Sequence, residues 1–106
     1  MNQAELYQGL QAIGYPVAYS HFTTEPKAPY LVYLFAYGND FMADNFNHAE
    51  VSVYQVELYT EKKDLVAEQK VKDKLREMQL PFSKSETYLE SEKLHQVIYE
   101  IQLIGG

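Results

Sequence analysis

The positions of apolar and polar side chains predict two amphipathic helices. Over Asn2–Ile13, Leu6, Leu10 and Ile13 recur at helical spacing, and the opposite face carries four Gln or Glu residues. A second helix is predicted over Leu65–Gln79 on the same grounds. Asn2 and Asp64 are suitable N-cap residues for the two helices. The apolar stripe of the second helix consists of Ala67, Val71, Leu75 and Met78.

Strand patterns occupy much of the remaining chain. Tyr30–Tyr37 is β-branched and aromatic without alternation, so both of its faces must be covered. Ala49–Thr60 alternates between apolar and polar residues, which predicts a strand with one core face and one partly solvated face. Phe82–Glu90 and Leu94–Ile104 are predicted to pair with each other in antiparallel fashion. Pro16–Phe22 is predicted to be a short strand or an extended arm.

The order of these elements predicts an α+β fold. Short connections favour antiparallel pairing, and two helices can cover one face of a single sheet. We therefore expect a two-layer sandwich: an antiparallel sheet of four or five strands with two helices packed on one face. The 106 residues are enough for one domain and too few for two ordinary ones, so residues 1–106 are expected to form a single domain.

The other face of such a sheet carries apolar side chains that the helices cannot cover. They include alternate residues of Tyr30–Tyr37, and Tyr is enriched at protein interfaces. The long connection Gly38–His48 also contains apolar side chains, which either fold onto the core or contact another subunit. The candidate residues of a subunit interface are Tyr30, Tyr33, Phe35, Tyr37, Phe41, Met42, Phe46 and Tyr59.

The charge of the chain argues against nucleic acid as a partner, and the short apolar runs argue against a membrane. With 15 acidic and 9 basic residues the formal net charge is −6, so sequence-specific binding of nucleic acid is not expected. The bases lie among acids around the second helix, which is typical of a solvated face of mixed charge. No apolar run is long enough for a membrane span, and Met1–Gly14 lacks the pattern of a secretory signal. We expect a cytoplasmic protein without a membrane partner.

Side chains suited to catalysis or metal binding are scattered along the chain. The absence of Cys excludes a thiolate metal site and a cysteine nucleophile. His21, His48 and His95 lie in separate segments, and none stands in an HxH or HExxH frame. Oxygen-bearing side chains between Asn39 and Asn47 suit Ca²⁺ or Mg²⁺, but the glycine and terminal Glu of a calcium loop are missing. We therefore predict no enzyme, no cofactor and no metal site.

Four stretches of the chain carry a resemblance to a known family. They are Pro16–Phe22, Pro29–Tyr33, Tyr54–Asp64 and Glu86–Glu100. Together they resemble small proteins encoded in the head–tail gene cluster of tailed phages and prophages of Gram-positive bacteria. Within that cluster they are most similar to the tail completion or tail terminator group. The resemblance extends over nearly the whole chain, and its motifs are structural rather than catalytic.

The resemblance implies an α+β subunit that forms a ring, commonly a hexamer, at the junction between the tail tube and the head connector. The implied partners are further copies of the chain and the phage tail tube and head connector proteins. Such a protein would assemble in the host cytoplasm and become part of the virion tail. The alternative is a small, non-catalytic, prophage-encoded module that binds a host protein. An enzyme or ligand-binding domain would be favoured by a pocket that holds a histidine beside a carboxylate.

The connection between the two central strands provides a first test. If Phe41 and Phe46 belong to a subunit interface, replacing both with Ser leaves the fold intact and weakens association between subunits. Circular dichroism measures the fold, and sedimentation measures association. Loss of the folded state would instead assign both residues to the core.

Overall fold

The structure, a computed structural model, describes residues 1–38 and 50–104. Its strands form one five-stranded sheet in the order β1-β2-β3-β5-β4. The predicted α+β fold is confirmed. The elements in chain order are α1 (Gln3–Gln11), β1 (Val17–Tyr19), β2 (Tyr30–Gly38), β3 (Val51–Thr60), α2 (Leu65–Glu77), β4 (Ser83–Leu89) and β5 (Leu94–Ile104).

Both predicted helix starts are confirmed by their capping contacts. The backbone N–H of Glu5 donates to Asn2 Oδ1 at 2.9 Å, and the backbone N–H of Asn2 donates to Glu5 Oε1 at 3.0 Å. This reciprocal pair is a capping box and satisfies two otherwise free donors. At α2, Asp64 Oδ1 accepts from the backbone N–H of Ala67 at 3.0 Å.

Both helices end two residues earlier than predicted. After α2 the chain reverses at Gln79, which has a φ of 60°. The backbone N–H of Leu80 donates to the carbonyl of Leu75 at 2.8 Å, and that of Gln79 donates to the carbonyl of Arg76 at 2.9 Å. These two bonds form a Schellman motif. The usual sequence signal for it, a glycine in the left-handed position, is absent here because Gln occupies that position.

The helices pack on one face of the sheet and enclose the larger apolar core. The predicted stripe of α2 lies in this core, with Ala67, Val71 and Leu75 fully buried and Met78 partly buried. The alternation in the sequence predicted that one face of β3 lies in the core, and this prediction is also confirmed. Other large buried side chains of this core are Leu6, Leu10, Leu31, Val56, Leu58, Val97, Tyr99 and Ile101.

One strand pair departs from the predicted antiparallel arrangement. β1 runs parallel to β2, whereas β2–β3, β3–β5 and β4–β5 are antiparallel. Parallel pairing requires the chain to cross the sheet between the two strands. Residues 20–29 make this crossing on the face opposite the helices, which we call the second face. There Phe22 and Ala28 pack against Tyr30, Val32 and Leu94.

A bulge changes the direction of the side chains near the end of β2. The register with β3 shifts between Phe35 and Tyr37. Phe35 lies on the helix side, where its ring contacts Tyr54 edge-to-face at a centroid distance of 5.7 Å. Tyr37 pairs with Val53 and therefore lies on the second face. Among the described residues, no helix is both long and apolar enough to cross a membrane.

Two leucines provide a matched test of this core. Leu58 is fully buried between the sheet and the helices, whereas Leu65 at the start of α2 is 70% exposed. We expect Leu58→Ala to lower the free energy of unfolding by about 2–5 kcal/mol, because it leaves a cavity. Leu65→Ala should change it by less than about 0.5 kcal/mol. Urea denaturation followed by circular dichroism measures both, and equal effects would contradict this description of the core.

Candidate functional site

The predicted interface residues are distributed over both faces of the sheet. Tyr33 is buried in the helix-side core and Tyr30 is buried on the second face. Phe35 and Tyr37 are 45% and 49% exposed, and Tyr59 is partly exposed. The other three predicted residues, Phe41, Met42 and Phe46, lie outside the described residues. Whether the set forms a subunit interface stays a prediction.

Three exposed aromatic residues lie along the β1–β2 edge of the sheet, with Phe35 on the helix side and Tyr37 on the second face. We call this edge the aromatic edge: Tyr19, Phe35 and Tyr37. The register of β1 covers β2 only from Leu31 to Tyr33. Tyr19 extends this cover, because its hydroxyl accepts from the backbone N–H of Phe35 at 3.1 Å. Tyr19 was missed in the sequence because Pro16–Phe22 was not assigned to a pairing partner. Within residues 1–38 and 50–104 this edge is incompletely paired, and such an edge with exposed aromatic rings is suited to protein contacts.

A cleft of about 230 Å³ opens on the second face where residues 20–29 cross the sheet. We call it the tyrosine cleft; its walls include His21, Phe22, Glu25, Tyr30, Tyr59 and Glu92. The rings of Tyr30 and Tyr59 stack at a centroid distance of 5.0 Å and an interplanar angle of 18°. Phe22 contacts the Tyr30 ring edge-to-face at 5.4 Å. The cleft therefore has an aromatic floor and acidic walls.

Both tyrosine hydroxyls of the cleft donate to carboxylates. Tyr30 donates to Glu25 Oε1 at 2.7 Å, and Tyr59 donates to Glu57 Oε1 at 2.8 Å. Burial raises the pKa of each tyrosine, and the hydrogen bond and charge of its glutamate raise the pKa further, to about 12 for Tyr59. The charge of Glu92 acts on both in the same direction. The hydroxyls therefore stay protonated.

The cleft also holds His21 beside carboxylates, the arrangement that would favour an enzyme. His21 Nδ1 lies 3.4 Å from Ser20 Oγ, a distance that is long for a catalytic pair. Ser20 has a φ of 67°, and the backbone N–H of His21 donates to the Tyr19 carbonyl at 2.7 Å. This bond closes a tight γ-turn that reverses the chain after β1. The unusual backbone at Ser20 thus has a structural cause.

A buried glutamate organises a second polar group, on the helix side. Glu68 of α2 is 2% exposed, so the predicted solvated face is wrong at this position. Lys84 Nζ donates to Glu68 Oε1 at 2.7 Å, and Lys63 Nζ lies 2.8 Å from both Glu68 Oε2 and Glu86 Oε2. The latter oxygen also lies 2.7 Å from His95 Nε2. The sequence did offer a signal, since Glu68 falls beside the apolar stripe of α2.

Opposing effects set the pKa of Glu68. Burial is the largest of them and raises the pKa of this carboxyl, but the contacts and charges of Lys63 and Lys84 together outweigh it and lower the pKa below its usual value. Lys63 meets Oε2 as a close ion pair, without the alignment of a hydrogen bond. The pKa of Glu86 is also lowered, chiefly by Lys63 and then by His95. The negative charge of the buried Glu68 carboxylate is therefore balanced by the two neighbouring lysines.

The residues around Glu68 include the types that bind metals, but the negative charge of their carboxylates is already neutralised by lysines. Glu68, Glu86 and His95 each offer one ligand atom, and these atoms lie within 4.8 Å of one another. Lys63 and Lys84, however, already neutralise the carboxylates at ion-pair distance. A divalent cation would have to displace both ammonium groups. The arrangement therefore fits an ion-pair network that fastens α2 to β4.

Comparison with known proteins adds a likeness of fold. No known protein family matches the chain, and no curated protein matches it in sequence. The fold is similar to a chain of the solved structure described as "Virion of native gene transfer agent (GTA) particle", with a TM-score of 0.65. The match covers 95% of this chain and 92% of that chain at 13% sequence identity. At this identity the likeness concerns the fold.

The Glu68 network predicts a particular dependence of stability on acid. Because the pKa of Glu68 is lowered in the folded protein, the network stabilises the fold above the unfolded-state pKa of about 4.5. This stabilisation is lost as the pH falls through the lower, folded-state pKa. We expect Lys84→Met to lower the free energy of unfolding at pH 7 by about 1–3 kcal/mol and to weaken its dependence on pH below about 5.

Lys72→Met is the control, because Lys72 lies on α2 and makes no ion pair among the described residues. Urea denaturation between pH 3 and pH 7 measures all three proteins. If Lys84→Met keeps the acid dependence of the unmodified chain, Lys84 does not hold the charge of Glu68.

Proposed function

We propose that this chain, as a single domain of residues 1–106, is a structural subunit of a phage tail that forms a ring at the head–tail junction. The observation that carries the proposal is the likeness of its fold, over nearly its whole length, to a chain of a phage-like virion particle. The resemblance of Pro16–Phe22, Pro29–Tyr33, Tyr54–Asp64 and Glu86–Glu100 to tail completion and terminator proteins points in the same direction.

The physical features of the surface suit such a role. A ring requires each subunit to offer two different surfaces that meet head to tail. The aromatic edge supplies exposed Tyr19, Phe35 and Tyr37, which are of the type enriched at the centres of interfaces. The net charge of −6 suits a channel through which DNA passes without adhering. The subunit acts by assembly with tail tube and connector proteins in the host cytoplasm, not by catalysis.

The assembly is tested by the mass of the protein in solution and by its effect on tail tubes. We expect rings, with the mass of about six subunits in the implied hexamer, whose population rises with protein concentration. Added to growing tail tubes, the protein should cap one end, as seen by electron microscopy. A strict monomer at high concentration that leaves tail tubes unchanged would overturn the proposal.

The aromatic edge is tested by the double variant Phe35→Ser with Tyr37→Ser. Burial of each ring contributes about 1.5–3 kcal/mol, so the double variant should weaken association between subunits by tenfold or more. Val66→Ser is the control, because Val66 is 67% exposed on α2, away from this edge. Sedimentation velocity measures association, and circular dichroism checks the fold. Equal weakening in both proteins would exclude a specific role for the aromatic edge.

A further inference from the structure

The tyrosine cleft concentrates negative charge that the described part of the chain does not neutralise. Glu25 and Glu92 line the cleft, and Glu57 binds the hydroxyl of Tyr59 at its floor. Among residues 1–38 and 50–104, none of these three carboxylates has a Lys, Arg or His within ion-pair distance. Among the described residues that line the cleft, His21 is the one potential cation, and its side chain contacts Ser20.

The carboxylates of the cleft affect the pKa of its tyrosines as well as the charge at its opening. Glu57 is half-buried, and burial raises its pKa more than its hydrogen bond from Tyr59 lowers it. The pKa values of Tyr30 and Tyr59 are raised by burial and by their glutamates. Burial disfavours the charged form of all three groups, and the glutamates add to this effect at the two tyrosines. A positive group in the cleft would favour the ionised carboxylates.

The shape of the cleft restricts which cation fits. Its volume of about 230 Å³ is smaller than that of ordinary drug-sized sites, but sufficient for one long side chain. The stack occupies one face of each tyrosine ring and Tyr30 is buried, so the aromatic surface left to a ligand belongs to the partly exposed Tyr59, and a guanidinium group stacks on such a ring. Carboxylates beside such a surface accept the paired N–H donors of the same group. A lysine ammonium supplies charge but neither the plane nor the paired donors.

The size of the cleft restricts the source of this guanidinium. The α-carboxylate and the α-ammonium of free arginine carry opposite charges, so the charge of Glu25 and Glu92 does not separate the two sources, but a cleft sized for one long side chain leaves the backbone of that arginine at the surface, where a protein partner would supply it. We infer that the tyrosine cleft binds an arginine side chain presented by a protein partner. The inference does not depend on ring formation, because the cleft lies within one subunit and its binding can be measured on the isolated protein.

The test uses blocked arginine, N-acetyl-arginine methylamide, as the probe of a peptide-bound side chain. Ring signals of ¹³C-labelled tyrosine are recorded by NMR, and Tyr30→Phe and Tyr59→Phe assign the two signals of the cleft. We expect saturable shifts of both signals. Blocked lysine and blocked citrulline, which is neutral, should bind at least about tenfold more weakly because each lacks part of the required chemistry. Free arginine should bind no more tightly than blocked arginine, because the cleft is sized for the side chain that both share.

Variants distinguish the cleft from general attraction to an acidic protein. The double variant Glu25→Gln with Glu92→Gln keeps side chains of the same shape, including an acceptor for the Tyr30 hydroxyl. It should weaken binding of blocked arginine by about tenfold or more, because charged hydrogen bonds are replaced by neutral ones. Glu90→Gln is the matched control: Glu90 is exposed in the same β4–β5 turn and does not line the cleft.

Four results would overturn the inference: no saturable shift of the cleft tyrosines, equal binding of citrulline, unchanged binding in the double variant, or tighter binding of free than of blocked arginine. The last result would instead identify a site for the free amino acid. None of these results bears on the ring, whose test is the mass of the assembly. Failure here and failure of the proposed function are therefore distinguishable.

Discussion

Burial of the first half of β2 on both of its faces is the constraint on which the arrangement of the chain depends. Leu31 and Tyr33 point into the helix-side core, whereas Tyr30 and Val32 point to the second face. Two helices can cover only one of these faces, so residues 20–29 must cover the other. The crossing sets β1 parallel to β2, and in the described part of the chain β1 pairs with β2 no further than Tyr33. It also brings Glu25 to Tyr30 and so builds the tyrosine cleft.

Elements with a local signal could be predicted from the sequence. The helix N-caps at Asn2 and Asp64 depend on contacts within one turn, and both were found. The core face of β3 depends on a period of two, which the alternation of Tyr54, Val56 and Leu58 displays. The end of α2 was placed too late, because Gln79 adopts a backbone that glycine usually signals. Local chemistry thus determined most of the elements.

Features that depend on contacts between distant segments could not be predicted in the same way. The parallel pairing of β1 arises from the path of residues 20–29, whereas Pro16–Phe22 was predicted as a short strand or an extended arm without a pairing partner. Glu25 and Tyr30 are close in sequence, but Tyr59 and Glu92 reach the same cleft from two other elements. Glu68 could have been recognised, since it adjoins the stripe of Ala67 and Val71. Its partners Lys63 and Lys84 come from separate parts of the chain.

The negative charge of carboxylates is balanced differently on the two faces of the sheet. On the helix side, Glu68 is almost fully buried, and two lysines lie against it. Without them a buried carboxylate would be strongly destabilising. On the second face, the carboxylates of the cleft receive tyrosine hydroxyls, which supply hydrogen bonds but no positive charge. They remain tolerable because the cleft is open to water. A protein surface that closed the cleft would remove this water, and a cation on that surface would then provide on the second face what Lys63 and Lys84 provide on the helix side.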